Sequence, residues 1–361
     1  MQWIKGISSR QAHVRLPEGT VEEEHGREGF SGAASHLYRM HPPTGWTRIE
    51  GPLRPHAFDA AAAGASSPDA RVPVPVLEND HVAVGVLVRA ATPEFLFRNA
   101  DGDELHFVHA GTGRYESDYG TFSYEPGDYV LMPRGTSYRQ AIDTATTTLV
   151  IEASGGGFAL PDRGILGRHA FIDPAMFEAP EIDPHDEEGE FELVVKRAGE
   201  LTSVFYPYHP LDVVGWKGDL APIKFNVRDI RPITAPGYHL PPSVHATFVA
   251  DGFMISTFVP RPLERDPEAL KVPFYHRNIE YDEVIFYHSG EFFSRTGIQE
   301  GWMTFHPQGI HHGPQPGAVE RSKDKTETNE VAVMIDARHP LKMTPDAEKV
   351  EWGEYWASWQ Q

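Results

Sequence analysis

Apolar residues along this chain come in short runs broken by glycine, proline and polar residues, with no long stretch of helical periodicity. Runs rich in β-branched and aromatic residues begin at Val82-Ala83-Val84-Gly85-Val86-Leu87-Val88 and recur to Val150-Ile151-Glu152. They resume at Phe191-Glu192-Leu193-Val194-Val195 and continue through Phe253–Val259, Val284–Tyr287 and Val331–Ile335. Many short strands joined by turns predict an all-β protein. Residues 1 to about 40 are polar, carry the run Glu22-Glu23-Glu24, and read as an arm or loop. The Ala-, Gly- and Ser-rich Ala57–Ala70 reads as a surface loop, and Pro345–Trp359 as a short terminal helix. The polar Arg321–Glu330 is expected to be exposed. Around Ile165–Glu190 the composition turns acidic and proline-containing, which predicts an N-terminal arm and β domain over 1–165 and a second domain over 166–361.

A weak internal repeat sharpens this picture. The later copy reads His276-x6-Glu283-x6-Gly290, then Gly301-x5-Pro307-x-Gly309-x2-His312. The earlier copy keeps Glu104-x6-Gly111 and Gly127-x5-Pro133-x-Gly135-x2-Tyr138. Phe97 stands where His276 would be, and Tyr138 where His312 would be. The shared glycines and prolines mark tight turns, so the repeat predicts two related barrels of which only the C-terminal one binds metal.

Two imidazoles and a carboxylate make a facial set that leaves coordination positions open, and the set suits Fe(II), Mn(II), Ni(II) or Zn(II). Strand neighbours point to opposite faces, so Asp282 and His311, beside Glu283 and His312, are expected outside the ligand set. The whole chain narrows the chemistry further. Its 361 residues carry a formal charge of −20, which argues against nucleic acid or an anionic membrane surface as partner. The absence of cysteine removes disulfides, Fe–S clusters and thiol nucleophiles. The first residues lack the apolar run of a signal peptide and no segment approaches a membrane span, so a cytoplasmic location is expected.

Several further motifs run in order: Val214-Gly215-Trp216-Lys217-Gly218, Pro222-x-Lys224-Phe225-Asn226, His239-x-x-Pro242-Ser243 and Pro273-Phe274-Tyr275-His276-Arg277-Asn278. Glu283, His306 and His312-Gly313-Pro314 follow. In these motifs the C-terminal half resembles homogentisate 1,2-dioxygenases, and Leu37-Tyr38-Arg39 carries a fainter likeness in the N-terminal half. The resemblance implies a double cupin-like (bicupin) jelly-roll fold, assembly into trimers or hexamers, and Fe(II) held by His276, Glu283 and His312. It implies cleavage of a small aromatic substrate with O2, homogentisate giving maleylacetoacetate, with His239 as general base and Asn278 and His306 lining the pocket. Phe274 and Phe292 stand where the family has pocket tyrosines, which opens the choice to gentisate or another hydroquinone. Lys224 and Arg295 are candidates for holding a substrate carboxylate. Outside this class, a metal-dependent isomerase or a binding protein is the rival reading.

Overall fold

A computed structural model describes residues 3–271 and 273–360, and it consists mostly of β-sheet with a few short helices. A seven-stranded sheet and a six-stranded sheet enclose one apolar interior, formed by Phe97, Val108, Tyr115, Phe122, Val130 and Tyr138. A further six-stranded sheet carries Ala246–Ala250, Phe253–Phe258, Val331–Ala337, Asp282–Ser289, Met303–His306 and His56–Phe58. It packs its outer face on the seven-stranded sheet: Leu105, Phe107, Leu149 and Ile151 meet Ile255, Val284, Phe286, Val333 and Ile335 in one core. Alternation explains the split. Along Asp282–Ser289, Val284 and Phe286 enter this core, while Ile285 joins the separate cluster of Phe30, Phe274 and Met334. Glu283 therefore faces inward with Ile285, away from the intersheet core.

The repeat is visible in the pairing. Tyr138 pairs antiparallel with Phe97, and His276 bridges His312 in the same way. Gly111 and Gly290 have φ of 91° and 94°, and an added Cβ would lie 2.4 Å and 2.3 Å from a backbone carbonyl, so only glycine fits either turn.

Two expectations need correction. The N-terminal segment is not a loop: Val21–Gly26 and Ala34–Arg39 form a hairpin, and Val21–Gly26 pairs parallel with Tyr275–Asn278, the strand that carries His276. Glu22, Glu23 and Glu24 are all buried there. Ala60–Ala65 is a helix, because the Asp59 side chain caps the Ala62 N–H and Ala60 and Ala63 bury against the core. The division near residue 165 is crossed in both directions. Glu188–Arg197 pairs with Leu96–Asn99 and Ile223–Asn226 with Asp128–Met132, while His56–Phe58 pairs with Met303–His306. The terminal stretch forms two short pieces, Pro345–Lys349 and the 3-10 turn Tyr355–Trp359.

Candidate metal centre and adjoining cavity

His276, Glu283 and His312 are buried, and each offers one ligating atom within 4.8 Å of the others. Three separate backbone devices bring them together. Glu283 sits on the long strand, His276 on the strand beside the N-terminal hairpin, and His312 on the return after the Gly309 turn. Reciprocal backbone hydrogen bonds of 3.0 and 3.1 Å lock His276 to His312. The His276 Nδ1 lies 3.0 Å from the Phe274 carbonyl, which can only accept, so the proton is on Nδ1 and Nε2 keeps its lone pair. Among the described residues that Nε2 has no hydrogen-bond partner, and it lies 3.5 Å from Glu283 Oε2. His312 Nε2 is likewise unpartnered, 3.5 Å from Glu283 Oε1. Buried lone pairs without donors beside a carboxylate fit a divalent cation.

Charge in the site follows from this packing. Burial opposes ionisation of Glu283, but His312, His276 and His306 hold its carboxyl well below the usual range. Burial pushes His312 down to about 3 and His306 to about 4, so both rings are neutral at physiological pH. His306 Nδ1 lies 2.8 Å from Glu283 Oε1 and its Nε2 3.2 Å from the Tyr355 hydroxyl, so it braces the carboxylate from behind. Asp336, cross-strand from Glu283, is fully buried without a partner among the described residues, and burial beside that carboxylate raises its pKa well above normal.

A cavity of about 40 Å³ opens on His276, walled by Phe30, His239, His245, Phe258, Arg261 and Phe274. His239 Nδ1 lies 3.0 Å from Glu264 Oε1. Burial opposes ionisation of Glu264, yet the bond to His239 brings its pKa below the ordinary value. An ionised carboxylate only accepts, so His239 carries its proton on Nδ1 and presents Nε2 as the basic nitrogen. Asn278 shares the inward face with His276, buried with both amide atoms unpartnered.

The remaining sequence candidates do not line this cavity, although Arg295 is near enough to Glu283 and His306 to act on their charge. Phe292 packs edge-on against Tyr287 at 4.8 Å. Arg295 donates to the Gly313 carbonyl at 2.9 Å and lies over Trp359. Lys224 is not brought to the cluster at all: it sits on Ile223–Asn226 in the seven-stranded sheet, 3.0 Å from Glu178. Asp282 faces away and accepts backbone N–H bonds from Gln308 and Leu341, both at 2.7 Å. His311 turns to Glu23 at 2.9 Å. Sequence reading missed Phe30, His245 and Arg261, which line the cavity, and Glu264, which holds His239; long-range packing brings them there with no spacing signal.

Comparison with known proteins adds the following. Residues 78–227 match the family described as homogentisate 1,2-dioxygenase N-terminal. A candidate dioxygenase of Saccharolobus solfataricus is 34% identical over 98% of this chain and 97% of its own length. A homogentisate 1,2-dioxygenase of Bradyrhizobium diazoefficiens is 30% identical over 70% of this chain and 59% of its own length. One of Nitrobacter hamburgensis is 30% identical over 72% of this chain and 62% of its own length. The chain thus aligns with about three fifths of those two dioxygenases. A cupin 2 conserved barrel domain protein from Leptotrichia buccalis overlies 74% of this chain and 88% of its own, at 9% identity and a TM-score of 0.34.

Proposed function

The chain belongs to the homogentisate 1,2-dioxygenase family, and from that premise we propose that it is an Fe(II)-dependent enzyme that opens a hydroquinone-type ring bearing an anionic side chain, homogentisate first among them. It is an oxygenase, as its named relatives are. The observation that carries the finer reading is the buried set of His276, Glu283 and His312 opening on a cavity shared with His239. An Fe(II) ion held by these three residues would supply the route by which electron density passes from the ring to dioxygen.

The chain's own residues do the rest. His239 Nε2 takes the phenolic proton, because Glu264 fixes the opposite tautomer and steadies the imidazolium that forms. Phe30, Phe258 and Phe274 give the ring apolar walls and exclude water. Arg261 faces the same cavity, 3.4 Å from Glu330, and is better placed than Lys224 or Arg295 to meet a substrate carboxylate. A space of about 40 Å³ holds little more than one water, so an aromatic ring enters only when a wall yields. The wall with least regular structure is the segment between Ile230 and Pro242, which carries His239. We assign it the gating motion.

The test is single-turnover oxygen uptake. Protein loaded anaerobically with Fe(II) is mixed with homogentisate, gentisate or unsubstituted hydroquinone, then exposed to O2. One O2 consumed per homogentisate, with a ring-opened product, is expected. Turnover of gentisate alone would move the substrate assignment, and absence of uptake with every diphenol would overturn the reaction class.

A further inference from the structure

We propose a second metal site in the N-terminal hairpin, formed by His13, Glu24 and His36, that takes a divalent first-row ion of the Zn(II) type. The three residues offer ligating atoms within 4.8 Å of one another, the same closeness found in the catalytic cluster. Strand alternation puts Glu22 and Glu24 on one face of Val21–Gly26, and cross-strand register sets Glu24 opposite His36. His36 Nε2 lies 3.0 Å from Glu24 Oε2. His13 closes the set from the preceding loop, its ring 5.3 Å from that of His36.

Two independent observations point to a ligand. His13 is 5% exposed, and its Nδ1 stands 2.7 Å from Glu22 Oε1 in an orientation that makes no hydrogen bond. Among the described residues Glu22 Oε2 is buried without a partner as well, ready to act as a fourth ligand. The charge balance also asks for a cation. Glu23, on the opposite face, is met by Arg39, Arg277 and His311, whereas among the described residues Glu22 and Glu24 pair with histidines alone. Two buried carboxylates facing two imidazoles are neutralised by one dication, and a His2Glu set with a further carboxylate suits tetrahedral zinc.

This site is distinct from the catalytic cluster but shares a wall with it. Glu24 is in register with His276, and the His13 ring stacks on Phe274 at 4.1 Å, with His239 6.2 Å away. An ion there would clamp the hairpin against the strand that carries His276 and against the aromatic wall of the cavity. The inference does not depend on the ring-cleaving reading.

Metal stoichiometry decides it. The full chain is stripped with chelator, titrated with Zn(II) beside a competing chelator that removes surface-bound ions, passed through gel filtration and analysed for zinc. We expect two ions per chain in the wild type, one in His36→Ala, one in His312→Ala and none in the double variant. A single wild-type ion that survives His36→Ala and disappears with His312→Ala would overturn the proposal and leave the catalytic site standing. A single ion with the reverse dependence would support the hairpin site and sink the catalytic one. Should His36→Ala fail to fold by circular dichroism, the near-isosteric Glu24→Gln takes its place, and a wild-type count of one that Glu24→Gln leaves unchanged still refutes the idea.

Discussion

The proposed general base can act only if its proton sits on the far nitrogen, and that depends on a single carboxylate. Glu264 holds His239 Nδ1 and leaves Nε2 free. Replacing Glu264 with Gln keeps the volume but lets the amide donate, so the ring is free to turn over into the wrong tautomer. We expect Glu264→Gln to lower kcat about 10–100-fold with the metal content unchanged, and to displace the acidic limb of the kcat–pH profile. A profile that keeps its shape, with kcat intact, would show that the contact only packs the loop. Arg261 makes a separate claim about binding. A guanidinium–carboxylate contact is worth roughly 1.5–3 kcal/mol, so Arg261→Gln should raise KM for homogentisate about 10–100-fold. Unsubstituted hydroquinone has no carboxylate, and its KM should stay within about 2-fold of wild type. Equal losses for both substrates would place Arg261 in the scaffold rather than at the substrate.

Among the elements, the N-terminal hairpin ties sequence-remote parts into one wall. Glu23 is fully buried and is met by Arg39 and by His311 at 2.9 Å, with Arg277 3.5 Å away. Burial opposes its ionisation, but the hydrogen bonds from His311 and Arg39 prevail and hold its pKa at about 2. A folded pKa below the unfolded value of about 4.3 means the stabilisation is complete above that pH and is lost as pH falls toward 2. Removing the carboxylate strands two arginines, so Glu23→Ala should cost about 3 kcal/mol at pH 7, seen as a lowered urea midpoint. Glu23→Gln should cost less. Both variants should show a flatter acid limb between pH 4.5 and 2, and a cost that persists undiminished at pH 2 would refute the pairing. This hairpin also shows where reading the sequence runs out. The run Glu22-Glu23-Glu24 carries no apolar alternation, since its burial is supported by His13, His36 and Arg39 around the hairpin and by Arg277 and His311 far along the chain. The glycine turns were legible because a positive φ with no room for a Cβ is a local demand that leaves a residue-type signature. His276, Glu283 and His312 were legible because those same turns fix their spacing. Glu264 and Arg261 left no such mark, because long-range packing can bring a residue to His239 or to the cavity at many sequence offsets.

For the whole molecule, the unit of stability is the face where the seven-stranded sheet meets the sheet that carries Glu283. Phe107 and Phe286 pack there with centroids 6.4 Å apart, and the same two strands next place His109 and His288 in contact, Nδ1 to Nδ1 at 3.0 Å. At that distance one ring donates and the other accepts, so the pair requires both to be neutral, or one at most protonated. Burial and the neighbouring His109 depress His288 to about 4, while His109 is lowered by burial, with Glu300 opposing weakly. The sign is the reverse of a histidine that gains a carboxylate partner. Above about pH 6.5 folded and unfolded chains are both neutral at this position and no stability depends on it. As pH falls from 6.5 toward 4, the unfolded chain takes up a proton that the folded intersheet face refuses. Stability then declines by up to about 1.4 kcal/mol per pH unit for this one ring. His288→Phe keeps an aromatic ring against Phe107, 4.9 Å away in the native protein, and removes the titration. In metal-stripped protein, where protonation of the ligand histidines releases no ion, the variant should lose less stability than wild type between pH 7 and 4.5 by urea unfolding. The remaining slope would come from the other histidines that burial depresses, His245 and His312 to about 3 and His306 to about 4, and from His109. If wild type and variant run parallel across that window, the two sheets do not meet through neutral histidines, and the packing that positions Glu283 must be held by its apolar residues alone.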